Sequence, residues 1–411
     1  MSVPEILRCT TCSVETSIAS VPSTCPECRG ILDLRLAAPK EGITAEEAEG
    51  IWRWAKHLPH CDPTNRVTLG EGKSPLLSAP RMAEQTGLTD LWIKNDSIMP
   101  TGSFKDRAIA LATSLARHYG RPGLVLSSSG NAGASSAAYA ARAGLPLVVF
   151  VPATAPEAKL RQIAATGARL VPIDGNTADC CRLADRLSRE KGWVNLTTTY
   201  HNPYGVDAYA TIAYEIAELD PDVILLPISS GPLLAGIMKG YCRLMDAGKI
   251  TRMPRPIAVQ AEACAPIARA FACNGDIEPW PRRPTIASAL NDTLEGYERD
   301  GDYTLYWIRR HDGAAFAVDD DAIRAGTRLL ATTEGILVEP SAAVPVAAIS
   351  RLLERGLMLP DERVVAVTTG HGLKDMSWAN LSADRAGFPA DVDLGAIADK
   401  VQLARSDGSY Q

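Results

Sequence analysis

The chain lacks any apolar run approaching the ~20 residues that span a bilayer, and no basic segment followed by an apolar one opens it. Neither a membrane contact nor a secretory leader is expected, and the chain reads as cytoplasmic. Positive charge is not in excess: 42 basic residues face 48 acidic ones, a net charge of -6. That excludes the broad basic field on which nucleic-acid binding depends. No low-complexity segment and no repeat of solenoid period appears. What remains is a globular composition, 46% hydrophobic and 22% charged, in 411 residues, too many for one core. Two or three domains are expected.

Ten cysteines are too few for a disulfide framework in a chain this long, yet four are tightly organised. Cys9-Thr10-Thr11-Cys12 and Cys25-Pro26-Glu27-Cys28 are two knuckles separated by twelve residues. Each knuckle presents two thiolates from one turn, and Cys9, Cys12, Cys25 and Cys28 together make a closed tetrahedral zinc site. Four sulfurs leave no open position, so the role is structural. The nearby basic residues are only Arg8, Arg29 and Arg35, too few for a nucleic-acid-binding ribbon. Cys61, Cys180, Cys181, Cys242, Cys264 and Cys273 read as buried thiols.

Three stretches carry chemistry. Pro100-Thr101-Gly102-Ser103-Phe104-Lys105-Asp106-Arg107 puts a turn before an amphipathic run, Lys105 to His118, so Lys105 opens a helix. The positive end of the helix dipole disfavours an ammonium there, which suits a Schiff-base lysine. Ser127-Ser128-Ser129-Gly130-Asn131 follows the apolar run Leu124–Leu126 and precedes an Ala-rich helix, so its backbone N–H groups face an anion. Thr368-Thr369-Gly370-His371-Gly372-Leu373-Lys374-Asp375 ends a strand that begins at Arg363.

Elsewhere Thr44 to Leu58, with Thr44 and Glu47 as a capping box, reads as a helix. Apolar runs at 124–126, 147–151, 168–173 and 194–196 alternate with helices starting near 132, 156 and 177, the pattern of a parallel sheet covered on both faces. Val223 to Ile228 is a buried strand that feeds Ser229-Ser230-Gly231-Pro232-Leu233-Leu234 at a helix start, a second anion cradle. The C-terminal stretch 386–411 reads as a peripheral tail.

In order and spacing, these motifs resemble the threonine synthase family of fold-type II pyridoxal-phosphate (PLP) enzymes, from about Cys9 to Asp375. Gly70-Glu71-Gly72-Lys73-Ser74-Pro75-Leu76 is similar to the family's entry turn, and a zinc ribbon occurs in many members. The resemblance implies an α/β fold like that of tryptophan synthase β, with two doubly wound α/β domains and a small N-terminal zinc ribbon. The corresponding boundaries are 1–36 for the ribbon, 37–120 and 205–385 for a large PLP-binding domain, and 121–204 for a small one. It also implies roles. Lys105 is catalytic and carries PLP, Asn131 faces the phenolic oxygen, and Thr369 meets the ring nitrogen. Ser229, Ser230, Gly231, Leu233 and Leu234 hold the cofactor phosphate. Ser128, Ser129 and Gly130 hold the substrate carboxylate.

The chain departs from the family around the substrate. The phosphate-binding arginine that follows Asn-Pro-Tyr is Gly205 here, an Asn-Ser pair is Thr199-Tyr200, and a further basic position is Asn291. His201 and Lys73 are the candidates for substitute charge. The resemblance implies a lyase, best read as converting O-phosphohomoserine and water to threonine and phosphate, and a homodimer. The alternatives are a β-replacement synthase on phosphoserine, like cysteate synthase, or a hydroxyamino-acid ammonia-lyase. From another class comes a non-catalytic PLP-fold protein that uses its ribbon for interaction, against which Lys105 and Asn131 stand.

Overall fold

The computed structural model describes residues 5–36, 42–155, 157–281, 283–379, 393 and 395. The expected tail 386–411 lies outside them apart from positions 393 and 395, as does the expected helix start at Pro156. Three sheets organise the unit formed by residues up to Asp375. The second unit, residues 376–411, has a turn at Ser377–Trp378 among its few described positions.

The largest sheet has six strands in the order Ala314–Val318, Arg255–Ala261, Val223–Pro227, Arg363–Thr368, Asp90–Asn95 and Leu76–Ser78. Five of them are parallel, with Leu225 set between Ile257 and Ala366, and Leu76–Ser78 closes one edge antiparallel. Leu225, Ile257 and Ala366 are fully buried, as strands covered by helices on both faces must be. A four-stranded parallel sheet runs Arg169–Ile173, Leu147–Pro152, Leu124–Ser127, Val194–Asn195, from the apolar runs read in the sequence. The third sheet is antiparallel, Glu15–Ser17, Ile6–Cys9 and Leu32–Arg35, and carries the knuckles. No described helix is long and apolar enough to cross a membrane.

Two expectations are corrected. Thr44–Leu58 is not an α-helix: only Gly50–His57 coils, as a 3-10 segment kinked at Trp54. Gly50 has φ +63, a left-handed backbone that a right-handed helix cannot pass through. The Thr44 N–H instead donates to His57 Nε2 at 3.3 Å. Of the six remaining cysteines only Cys61, Cys180 and Cys264 are buried; Cys181 and Cys242 are half-buried and Cys273 is exposed.

The parallel strands converge by their carboxyl ends, where loops are free to carry side chains into a crevice. Strands ending at Asn95, Ser127, Pro227 and Thr368 lead into the lysine loop, the serine loop, the second cradle and the Thr-Gly-His loop. Four loops distant in sequence therefore meet at one place.

Candidate active site

The lysine loop is held from both sides. Its Phe104 N–H donates to Thr369 O at 2.9 Å and its Gly102 O accepts from the His371 N–H at 3.0 Å, so it is stitched to the Thr-Gly-His loop. Asp106 accepts from Thr101 N–H at 2.7 Å and from the Thr101 and Ser135 hydroxyls, which ties the loop to the Asn131–Ala143 helix. Two residues beyond Lys105, the fully buried Arg107 pairs with Asp96 at 2.8 Å and with Glu215 at 2.7 Å. Lys94 reaches the same Glu215 at 2.7 Å. Burial pushes Glu215 up, but Arg107 and Lys94 outweigh it and hold it near about 2. The helix that begins at Lys105 is thus fixed in place by a buried ion-pair network.

Lys105 itself is different. Its Nζ lies 4.5 Å from the Phe104 ring centroid and makes no hydrogen bond or ion pair among the described residues. Burial lowers its pKa from 10.5 to about 8, against the opposing fields of Asp292 and Glu339. It faces a cavity of about 1120 Å³ lined by all four loops.

Most predicted residues stand on that wall. Ser128, Ser129, Gly130 and Asn131 line it, with Ser128 Oγ accepting from the Gly130 N–H at 3.2 Å. Thr369 lines it too, its hydroxyl without a partner among the described residues. From the second cradle Ser229, Gly231 and Leu233 reach the wall, while Ser230 and Leu234 are buried behind it. Gly231 has φ +103, and a Cβ there would stand 2.2 Å from Thr304 Oγ1, so only glycine makes this turn. Pro232 occupies the first position of a fifteen-residue helix. The Leu233 and Leu234 N–H groups then fall in its first turn, without intrahelical acceptors.

The structure adds residues that the sequence did not single out. Glu339 Oε1 accepts from Asn131 Nδ2 at 2.7 Å, which fixes the orientation of that amide. Asp292 lines the cavity, and burial raises its pKa. Behind it burial raises Asp300 to about 8, reinforced by the charge of Asp292. Glu339 had one usable signal, an acid directly before a helix-starting proline; Asp292 sits in a segment without periodicity and had none.

The departures also find their places. Gly205 is buried and off the wall; a Cβ there would stand 2.9 Å from Asn202 Nδ2 and 3.0 Å from Ala108 Cβ, so no side chain fits without a shift. Asn291 is on the wall, its Nδ2 donating to Arg283 O at 2.9 Å. Neither His201 nor Lys73 lines the cavity: His201 Nδ1 bonds Thr199 Oγ1 at 2.8 Å, and the Lys73 N–H donates to Glu215 Oε1 at 2.9 Å.

A second cluster lies in the antiparallel sheet. The sulfurs of Cys9, Cys12, Cys25 and Cys28 all fall within 4.8 Å of one another, with separations of 3.4 Å for Cys9–Cys28 and 3.6 Å for Cys12–Cys25. The segment is anchored inward: Lys239 Nζ, on the helix that begins the second cradle, lies 2.7 Å from Asp33 Oδ1 and 2.5 Å from Asp207 Oδ1. Arg29 pairs with Asp185 of the Thr177–Lys191 helix, and its carbonyl accepts from Arg299 Nη1 at 2.7 Å.

Comparisons with known proteins agree with this geometry. The family model of pyridoxal-phosphate-dependent enzymes matches residues 67–370. The threonine synthase of Methanocaldococcus jannaschii is 33% identical over 402 residues, 95% of this chain and 98% of the relative. That of Methanosarcina acetivorans is 35% identical over 90% of this chain and 92% of its own length. Among solved structures, maize serine racemase superposes with a TM-score of 0.63 at 22% identity, covering 82% of this chain and 94% of its own. Threonine deaminase isoform 2 of Solanum lycopersicum gives 0.63 at 19% identity, over 90% and 99%. By sequence over nearly its whole length, the chain belongs to the threonine synthase family of pyridoxal-phosphate-dependent enzymes.

Proposed function

We propose that the chain is a lyase that eliminates or replaces a substituent at Cβ or Cγ of an α-amino acid, with Lys105 at its centre. The residues present fit PLP. A cavity-facing lysine without a hydrogen bond, an unpartnered Thr369 hydroxyl and free N–H groups at a helix N-terminus supply an attachment point, a ring-nitrogen partner and a phosphate cradle. When bound, the cofactor supplies an electron sink that stabilises charge at Cα.

The rest falls to the chain. Lys105, lowered to about 8, exchanges a proton at Cα near neutral pH. Ser129 and the N–H groups after Gly130, at the start of a thirteen-residue helix, receive the substrate carboxylate. Asn131, its amide oriented by Glu339, would hold the cofactor at its phenolic oxygen. The Thr369 hydroxyl would support the ring nitrogen without the charge of a carboxylate, which would favour elimination and replacement over transamination.

The observation that carries this reading is the half-buried Lys105 amine, without a hydrogen bond among the described residues, facing the cavity. Borohydride reduction followed by peptide mapping is expected to label Lys105, and Lys105→Ala is expected to abolish turnover; a label on another lysine refutes the assignment. The conversion of O-phosphohomoserine to threonine is the first reading of the substrate, supported by the family. A second, without a phosphate leaving group, is favoured by the lack of arginine among the described wall residues.

The four sulfurs suit structural zinc, since Zn–S bonds of ~2.3 Å in a tetrahedron put sulfurs ~3.8 Å apart, near the spacing found. We infer further that the chain pairs with a second copy, for which exposed Leu69, Leu77 and Ile98 offer apolar contact, and light scattering tests this. The division into a small domain over 121–204 and a large one around it is likewise our reading, as is a cytoplasmic location.

A further inference from the structure

We propose that Lys374 recognises the substrate α-carboxylate, as the full charge that faces the uncapped start of the Asn131–Ala143 helix. The proposal rests on the lyase reading and adds a specificity-determining side chain to that same cavity.

The backbone groups that receive the carboxylate carry only partial charge. The helix that opens at Asn131 has no side-chain cap, so the N–H groups of its first turn keep their donors for an anion. A helix terminus amounts to about half a charge. A carboxylate drawn from water into a cavity is better met by a whole one together with donors. Lys105 and Lys374 are the lysines among the described wall residues, and the first is committed to the cofactor.

The surroundings of Lys374 put it beside that helix start. Its Nζ donates to Gln162 Oε1 at 3.0 Å, and Gln162 Nε2 donates to Thr101 O, in the lysine loop, at 3.4 Å. Its stem crosses Gly102, where a Cβ would stand 2.9 Å from Lys374 Cε, and the φ of +78 there also asks for glycine. The carboxylates whose fields reach it are Glu339 and Asp106. Glu339 binds the Asn131 amide, and Asp106 binds Ser135, one turn further along the same helix.

This ammonium has capacity to spare. It is half-buried, its hydrogen bond goes to a neutral amide, and it enters no ion pair among the described residues. An ammonium carries three donors, so it meets a carboxylate without releasing Gln162. Burial lowers its pKa against the fields of Glu339 and Asp106, the direction expected of a cation short of solvent. A carboxamide offers the lysine an acceptor without charge. Lys374 therefore separates amino acids from their amides, whatever group leaves from Cβ or Cγ.

The test uses the full-length holoenzyme with L-alanine and L-alaninamide, which lack a leaving group and so report binding independently of the true substrate. Dissociation constants are read from the shift of the cofactor's visible band for the wild type, Lys374→Gln and Lys374→Arg. Lys374→Gln is expected to lower the preference for alanine over alaninamide by about tenfold to a hundredfold, and Lys374→Arg to retain most of it. Equal weakening of alanine and alaninamide gives Lys374 a structural role only and overturns the proposal. So does a loss confined to the preference for O-phosphohomoserine over homoserine, which assigns the lysine to the phosphate instead. Acetylation of the wild-type holoenzyme by acetic anhydride, mapped by peptide mass, needs no variant to fold: alanine is expected to protect Lys374 and alaninamide to leave it reactive, and equal protection overturns the proposal. Each of these failures leaves the lyase reading standing, whereas the absence of a borohydride label on Lys105 overturns both.

Discussion

The protonation of Lys105 decides how readily the chain takes up its cofactor, because only the neutral amine attacks an aldehyde. An ordinary lysine at 10.5 is neutral in about one chain per thousand at pH 7.5; at about 8, the neutral fraction is about a quarter. The structure thus raises the reactive amine by about 250-fold. Adding PLP to the apo protein in a stopped-flow instrument from pH 6 to 10, with a free lysine derivative as reference, measures this. Uptake by the protein should rise with pH and level off past a midpoint near 8, while the reference keeps rising to about 10.5. A rate still climbing tenfold per pH unit between 9 and 10 would refute the burial argument. The neighbours give a second handle: Asp292 and Glu339 hold the proton on, so Asp292→Asn or Glu339→Gln should move the midpoint down, and an upward move contradicts the reasoning. Stability follows with a definite sign. Between about 8 and 10.5 the unfolded chain binds a proton that the folded chain does not. This group's contribution to apo-protein stability therefore rises with pH across that window, by about 3 kcal/mol in all.

Lys239→Met removes the buried cation that Asp33 and Asp207 share, leaving Asp33 with Arg35 and Asp207 with Arg243, and should cost about 1.5 to 3 kcal/mol in urea unfolding; a loss below about 0.5 kcal/mol would show that the arginines and water compensate. Here burial pushes Lys239 down, but the two carboxylates outweigh it and hold it above its ordinary range. Cys9→Ala should lower the melting temperature and the zinc content, with Lys105 still labelled in whatever folds; a variant as stable and as metal-loaded as the wild type would remove the zinc assignment. Gly231→Ala forces a Cβ against Thr304 in a left-handed backbone, a strain of about 1 to 3 kcal/mol. It should raise the dissociation constant for PLP, and unchanged cofactor affinity would place the phosphate elsewhere.

The parts of the site legible in the sequence share one property: each is a strand, a small-residue loop and a helix start, contiguous along the chain. Local spacing therefore predicted that Lys105 opens a helix, and found the loops at 128–131, 229–234 and 369–375. The partners of those loops were not legible, because they arise across the fold. Glu339 orients Asn131 from 208 residues away, and Asp292 comes from an irregular stretch. The same limit explains Thr44–Leu58, whose capping pattern was outvoted by the fit of Gly50 against Thr68 and Glu71. The strand Ala314–Val318 and the helix Arg299–Arg310 were also missed; the strand carries two alanines at its start and the helix is rich in charge.

Arg29 grips with two hands. Its guanidinium holds Asp185, on a helix packed against the four-stranded sheet, and its carbonyl holds Arg299, on a helix packed beside the six-stranded one. Any sliding of one sheet past the other must first tear one of these bonds or drag the knuckles along. A small segment that carries no cavity residue is thereby tied to helices of both parallel sheets, and loosening its thiol cage is expected to loosen that tie.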